Sequence, residues 1–396
     1  GLIAMLVPGG TSRDGEPEIN LFAVLYGAQA AMSDLSNFCE RAPSACAAGG
    51  DVARFAGERV SDVSDMSGCG LVRLPDGAYD DALLAHYGLR GVRERLPRLV
   101  EPTDIAGRVS AKAAAETGLV AGTPVIGGFF DVVSSAMGAG VVRAGEASII
   151  AGSWSINQVF TDRPVTDERV FMASRFGPER YVAIESSATS AANLEWYVRE
   201  FLERGLEHDD PFGAVTRCLK KVEPAADDPF FHPFLYGARD NAQSRAGFYG
   251  IAGWHGEGHM LAALFEGVAF VHKRHTDRLA GAGLAIRRAG MSGGGARSTV
   301  WPQIFADVLA LPVTVAEARE TGALGAAIGA ALAIGEIADF GEGVARMTRT
   351  VRTFDPDPVL ASHHDRRYDT YLGLIETLRG FWSRLAATRA AEGEKG

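Results

Sequence analysis

From about residue 55 onward, apolar positions recur with periods that mark out helices and strands. YDDALLAHYGL (79–89) has helical spacing, and ETGLVAGTPVIGGFFD (116–131) reads as a helix end, a turn and a buried strand. GEASIIAGSWSINQVF (145–160) predicts two strands joined by a tight turn at Gly152. SATSAANLEWYVREFLERG (187–205) predicts a helix with Leu194, Tyr197, Val198, Phe201 and Leu202 on one side. PFFHPFLYGA (229–238) predicts an apolar strand ended by Gly237, and MLAALFEGVAFVHKRHTDRL (260–279) a second long helix. A third helix follows GGGARS, stops at Leu311-Pro312 and leads into the short strand VTV (313–315). The Ala/Gly-rich ETGALGAAIGAALAIG (320–335) predicts a closely packed, buried helix. Strands alternating with helices, without a short-period repeat or a low-complexity linker, give an α/β class.

Residues 1–50 break this order. Their Gly, Pro, Ser and Ala clusters carry no sustained period. The length, 396 residues, suggests two domains, and 47% hydrophobic with 22% charged residues is an ordinary globular composition. A formal charge of -10 argues against a surface built for nucleic-acid phosphates. It leaves nucleotide binding open, because a pocket can do that with backbone amides and a metal ion. Cys39, Cys46, Cys69 and Cys218 fit no Cys-x-x-Cys spacing, so free thiols in a reducing cytoplasm are expected. No apolar run reaches membrane-spanning length, and the opening GLIAMLV lacks the basic lead-in and cleavage site of a signal peptide.

The candidate chemistry starts at residues 293–301, GGGARSTVW. Gly293, Gly294 and Gly295 remove side chains where φ must be positive or where something must approach the backbone. Ser298 is a candidate N-cap for the next helix, and Pro302 falls in its first turn. A helix N-terminus after glycines can seat a nucleotide; a plain strand-to-helix turn is the alternative. No Gly-x4-Gly-Lys-Ser/Thr occurs, and no Gly-x-Gly-x-x-Gly lies between a strand and a helix with an acidic residue at the right distance. Walker-type NTPases and Rossmann dehydrogenases are therefore disfavoured.

The stretch GGGARSTVWPQIFADVLALPVTVAEARETGALGAAIGAALAIG resembles the C-terminal signature of the FGGY family of carbohydrate kinases. Four further segments agree in order and spacing: IGGFFDVVSSAMGAG (126–140), EASIIAGSWSINQ (146–158), ESSATSAANLEWY (185–197), and FFHPFLYGARDNAQSRAGFYGI with FEGVAF (230–251, 265–270). Within the family the wording FDVVS, NLEW and PFLYG is most similar to bacterial L-xylulose kinases. The resemblance implies an actin-like ATPase (ribonuclease H-like) α/β fold, ATP and Mg²⁺ as cofactors, and phosphorylation of L-xylulose or a related ketopentose. A kinase for xylulose, glycerol or erythritol is the enzymatic alternative. A remnant that binds ADP without turnover, or a structural ATPase of the actin or heat-shock type, are the others.

By the same resemblance, Asp131, emerging at a strand end, is the general base, with Phe130 beside it at the sugar. A helix cap is the plain alternative for Asp131. Gly152 and Ser153 hold the γ-phosphate; the family usually has Gly-Thr here, and Ser153 keeps the hydroxyl. Trp154 is read equally as a packed strand aromatic. Gly293, Gly294, Gly295, Ala296 and Ser298 face the adenosine, and Ala191 and Glu195 line the nucleotide or serve the helix alone. Arg239 stands where many relatives have Gly-Glu-Arg, but the text here is GARDN, and no catalytic role is assigned to it. His255, His259, His272, His275, His363 and His364 have metal-like spacings but are read as solvated or core residues, so no protein metal ligand is assigned.

The resemblance divides the chain into an unmatched segment over 1–54, disordered or non-native, a remnant of the N-terminal lobe over 55–140, and a C-terminal nucleotide-binding lobe over 141–396. The family's opening Asp-x-Gly-Thr-Thr/Ser hairpin is missing; PGGTSRDG (8–15) imitates it without the aspartate. The expectation is a truncated N-terminal lobe, with apolar surface exposed in its absence and a homodimer as one result. Partners are a small sugar and ATP or ADP, with no nucleic acid or membrane.

Overall fold

The computed structural model describes residues 2–11, 17–25, 52, 55–202 and 210–393. Cys39 and Cys46, the end of PGGTSRDG, most of the unmatched segment over 26–54 and the tail of the helix expected over 187–205 lie outside the described residues. The chain opens with strands β1 (Leu2–Thr11) and β2 (Pro17–Leu25), paired antiparallel with Met5 opposite Phe22. Strand β3 (Val60–Asp62) runs directly into helix α1 (Val63–Gly68). β4 (Val72–Arg73), β5 (Ala78–Tyr79), α2 (Asp81–His86), β6 (Arg98–Val100), β7 (Ile105–Arg108), α3 (Ala111–Thr117), β8 (Pro124–Ile126) and α4 (Asp131–Gly138) follow. Then come β9 (Glu146–Ala151), β10 (Ser155–Thr161), β11 (Met172–Gly177), β12 (Arg180–Ser187), α5 (Ala192–Tyr197) and α6 (Pro211–Leu219). The last third holds β13 (Phe230–His232), β14 (Gly247–Tyr249), α7 (Glu257–Gly281), β15 (Arg288–Ser292), α8 (Trp301–Leu309) and β16 (Val313–Ala316). It closes with α9 (Thr321–Ala333), α10 (Phe340–Met347), β17 (Thr350–Phe354) and α11 (Pro358–Gly393).

Seven strands form one sheet in the order β11-β12-β10-β9-β15-β16-β17. Two expected elements come out shorter. The apolar run 229–238 is a strand only over Phe230–His232, because Pro233 brings no N–H to a ladder. The helix expected from residue 187 begins at Ala192, since Ser187 still belongs to β12, and past Tyr197 it widens into a π turn, Val198–Leu202. Among the described residues, no helix is long and apolar enough to cross a membrane.

The chain divides into two compact units. The first comprises Gly1–Glu146, Gln158–Ile184 and Ala316–Thr350. Its β3 pairs in parallel with β6 over a core of Val60, Val100, Ala106, Val109, Ala113 and Val125. Its α4 and α9 touch backbone to backbone, which only glycine permits. A Cβ on Gly325 would run into the Ser134 carbonyl, and one on Gly138 into that of Thr321. Gly329 likewise leaves room for the Phe129 ring. The Ala/Gly composition of α9 is thus a packing requirement.

Helix α1 is fastened at its start by Asp62. Its Oδ1 accepts the N–H groups of Ser64 at 2.8 Å and Asp65 at 3.0 Å, the ordinary N-cap arrangement. Asp62 is buried, and burial, reinforced by the neighbouring Asp65, raises its pKa from 3.8 to about 7. Burial also raises Asp65, with the Asp131 charge adding to the effect.

The second unit comprises Ala147–Asn157, Glu185–Val315 and Val351–Gly396. Its β15 pairs in parallel with β16, Met291 opposite Val315. The Trp301 ring on α8 lies 4.2 Å from that of Phe265 on α7, and its indole N–H donates to the Phe265 carbonyl at 3.1 Å. Glu266 on α7 anchors α11: Arg367 donates to both of its carboxylate oxygens, and His364 Nδ1 sits 2.8 Å from Oε1. Burial alone would raise the Glu266 pKa, but these partners outweigh it and hold it low. His363 lies in the same cluster, whose carboxylate is already paired with the Arg367 guanidinium.

Two stability measurements test the close helix contact and the buried acid. Gly325→Ala should cost about 1–3 kcal/mol in chemical denaturation, because α4 and α9 must part. Gly373→Ala on the exposed side of α11, where a Cβ meets nothing within 4 Å, should instead gain about 0.5–1 kcal/mol. The second concerns pH. Between 3.8 and about 7 the unfolded chain has lost the Asp62 proton that the folded unit keeps. Stability from this group is therefore full below the lower value and is lost as pH rises through the upper one. Denaturation midpoints of Asp62→Asn should vary less across this window than those of the wild type.

Candidate functional site

In the first unit, β8 leads through Gly127 and Gly128 to Phe130 and Asp131. A Cβ on Gly127 would lie 2.8 Å from the Glu101 carbonyl oxygen, and Gly128 has φ +90°, so both positions demand glycine. Asp131 is the first residue of α4, and its carboxylate is exposed. The helix has no side-chain cap; among the described residues, Asp131 Oδ1 accepts from the adjacent Val132 N–H, at 2.7 Å. The capping alternative for Asp131 thus lacks the usual bonds two or three residues on. Phe130 is half-buried, with Gly68 at the end of α1 closing on its ring.

A polar chain stands behind Asp131, made of residues that sequence reasoning leaves out of the site. The Phe130 N–H donates to Ser64 Oγ at 2.7 Å, and the Ser64 hydroxyl donates in turn to Asp62 Oδ1. The Ser64 carbonyl accepts from Ser174 Oγ at 2.7 Å, so both ends of the residue are tied down. The segment SDVSD does carry a readable sign, an aspartate two residues before a serine at a strand-to-helix junction.

In the second unit, three distant segments converge on one dipeptide. Ala151 and Gly152 end β9 and open its turn into β10. Gly293 has φ +83°, and a Cβ there would lie 2.9 Å from the Ala151 carbonyl oxygen. A Cβ on Gly295 would lie 2.8 Å from the Ala151 methyl, whereas one on Gly294 would meet nothing. On the other side, the Ala191 N–H donates to the Gly152 carbonyl at 2.8 Å. Gly152, Ala191, Gly293 and Gly295 therefore form one cluster. Ser153, Gly293 and Gly294 are exposed, as is Glu195 on α5, while Ala191, Gly295 and Ala296 are buried. Trp154 is 44% exposed, so the reading of it as a packed strand aromatic does not hold. Ser298 Oγ accepts from the Val300 and Trp301 N–H groups at 3.2 and 3.1 Å, steering the chain into α8 with Pro302 in its first turn.

Two supports of this cluster carry no sequence signal. Arg352 on β17 donates to the Ser298 carbonyl at 2.9 Å and to the Ala296 carbonyl, clamping the glycine loop from behind. A buried chain runs Ser190 Oγ, His272, Asn157, His275, with successive contacts of 3.0, 2.9 and 2.8 Å. Burial lowers His272 to about 3 and His275 well below 6.5, so both rings are neutral. The Asn157 carbonyl oxygen then requires the His272 proton on Nδ1, which leaves Nε2 to accept from Ser190, the neighbour of Ala191. These histidines fix geometry. Arg239 pairs with the buried Glu185, which Arg278 also meets at 3.3 Å, so it belongs to an ion-pair network. His255 and His259 each accept a local backbone N–H at the start of α7.

Residues 147–334 match the FGGY family of carbohydrate kinases, C-terminal domain, and residues 52–138 the N-terminal domain of that family. Residues 17–63 also match a family of unknown function (DUF5330). The L-xylulose/3-keto-L-gulonate kinase of Escherichia coli is 33% identical over 83% of this chain, and a probable L-xylulose kinase of Pasteurella multocida is 31% identical over 83%. The chain spans 65% and 66% of the lengths of these two relatives. Among solved structures, xylulose kinase from Rhodospirillum rubrum superimposes with a TM-score of 0.79 at 25% identity, covering 96% of this chain and 83% of that one. Gluconate kinase from Lactobacillus acidophilus gives 0.79 at 19% identity, covering 89% and 73%. These neighbours carry the actin-like α/β fold expected from the residues. With both domain models matched in order and the same fold in its neighbours, the chain belongs to the FGGY family of carbohydrate kinases.

Proposed function

We propose that this protein transfers the γ-phosphoryl group of ATP to a hydroxyl of a small sugar, with L-xylulose or a related ketopentose as the preferred acceptor. The observation that carries this reading is the cluster at Ala151–Gly152. Segments assigned separately to phosphate (Gly152, Ser153), to adenosine (Gly293, Gly294, Gly295, Ala296, Ser298) and to the nucleotide (Ala191, Glu195) meet there by backbone contact. The substrate preference rests on the named activities of relatives such as the two described above, at 33% and 31% identity.

The chemistry divides among groups already described. The exposed Ser153 hydroxyl and the backbone at the β9–β10 turn would donate to phosphate oxygens, where charge spreads as the phosphoryl group leaves. The open face at Gly294 leaves space for a purine, with Arg352 keeping the loop rigid. Asp131, exposed and uncapped, would accept the proton of the attacking sugar hydroxyl, with Phe130 packing at the sugar. Mg²⁺ suits the phosphate end of this chemistry, because phosphate oxygens and water are hard donors of the kind it takes. When bound, it neutralises charge on the triphosphate. We further infer that the protein acts in the cytoplasm, that residues 55–140 and 141–396 correspond to the two family lobes, and that the chain self-associates as a homodimer.

ADP release coupled to an optical readout, across L-xylulose, xylulose, gluconate, glycerol and erythritol, tests the reading. Turnover should be highest with L-xylulose. Asp131→Asn should lower kcat by about 10²–10⁴-fold, the usual share of a general base, while ADP affinity by calorimetry stays unchanged. Turnover indifferent to that substitution would refute the base. ADP binding without turnover on any sugar would leave a nucleotide-binding protein and no kinase.

A further inference from the structure

We infer that Ser64, braced by Asp62, is a positioning residue that sets the aim of Asp131 through the Phe130 peptide. The inference rests on the reading of Asp131 as the base, and the geometry behind it lies wholly within the first unit.

Phe130 occupies the N-cap position of α4, so the helix itself offers its N–H no partner. That amide instead donates to Ser64 Oγ across a sequence separation of 66 residues. A hydroxyl that rotates freely would be a poor anchor. Ser64 is fully buried, and its proton is committed to Asp62 Oδ1, which leaves a lone pair directed at Phe130. Its own N–H also goes to Asp62 Oδ1, and its carbonyl accepts from Ser174. Asp62 is itself buried, so no water competes for these bonds. The peptide that precedes Asp131 is therefore held from one side by a residue with no remaining rotational freedom. On the other side, α4 is held by the glycine contacts with α9. A base on an exposed helix start would otherwise swing with the fraying first turn, and small errors in its aim are costly to transfer.

The test is site-resolved amide hydrogen exchange on the full chain, wild type beside Ser64→Ala and Ser64→Thr, together with sugar-kinase kinetics. In Ser64→Ala the Phe130 amide should exchange at least about tenfold faster, the size of one lost hydrogen bond, and kcat should fall by about tenfold or more with the KM for ATP unchanged. The amides of Val133 and Ser134, which bond to the Phe130 carbonyl, should keep their protection. Ser64→Thr retains the hydroxyl and should restore both the Phe130 protection and kcat. An unchanged Phe130 amide in Ser64→Ala would overturn the inference. So would an equal rise across the whole of α4, which marks general loosening. Should the wild type phosphorylate no sugar, the kinase reading fails, and the exchange pattern still decides whether Ser64 holds the Phe130 peptide.

Discussion

Backbone meeting backbone, with no side chain between, is the constraint on which the candidate residues of each unit depend. In the second unit, Gly293 and Gly295 lie against Ala151 at separations no Cβ would tolerate. In the first, Gly138 and Gly325 let α4 and α9 touch at their main chains. Interiors packed to this density do not deform gradually, so each contact fixes the elements it joins. The glycine loop is held to the β9–β10 turn, and the helix bearing Asp131 is held to α9. Glycine costs conformational entropy on folding, and that cost is offset here by two rigid placements.

Around these contacts several polar groups are tied into networks. Arg352 satisfies two carbonyls of the loop that no helix or strand would have engaged. The Ser190–His272–Asn157–His275 chain leaves neither buried imidazole charged, which matters because an ionised ring there would have no counter-charge. Glu266 takes the opposite solution. It stays ionised because Arg367 and His364 reach it together, and α11 is thereby tied to α7. Asp62 is a third case, a buried carboxyl whose pKa burial raises to about 7 and which accepts three hydrogen bonds on one oxygen.

What can be read from the residues follows the same division. Gly293–Gly295 are legible because three glycines in a row before a helix signal a close backbone approach, and the Gly152 turn because two strand patterns flank it. The α9 segment is legible because so much Ala and Gly in one helix implies tight packing. PFFHPFLYGA misleads: its apolar run overstates a strand that Pro233 cuts to three residues. The helix from residue 187 is expected too early because Ser and Ala near a helix start suit the preceding strand end equally well. Arg352, Ser190 and Asn157 are invisible, since each acts through a partner distant in sequence and of no distinctive type. Ala191 enters only through family resemblance; its buried N–H on the Gly152 carbonyl supplies a physical reason for its place.

The central claim is that the missing side chain at Gly293 holds the loop against Ala151 in a form that accepts a nucleotide. Titration calorimetry of ADP into the wild type and Gly293→Ala tests it most directly. The added methyl strains a backbone at φ +83° and presses on the Ala151 carbonyl, so ADP affinity should drop at least about tenfold while the far-ultraviolet circular dichroism spectrum is kept. Equal ADP affinity in the two proteins would contradict the account.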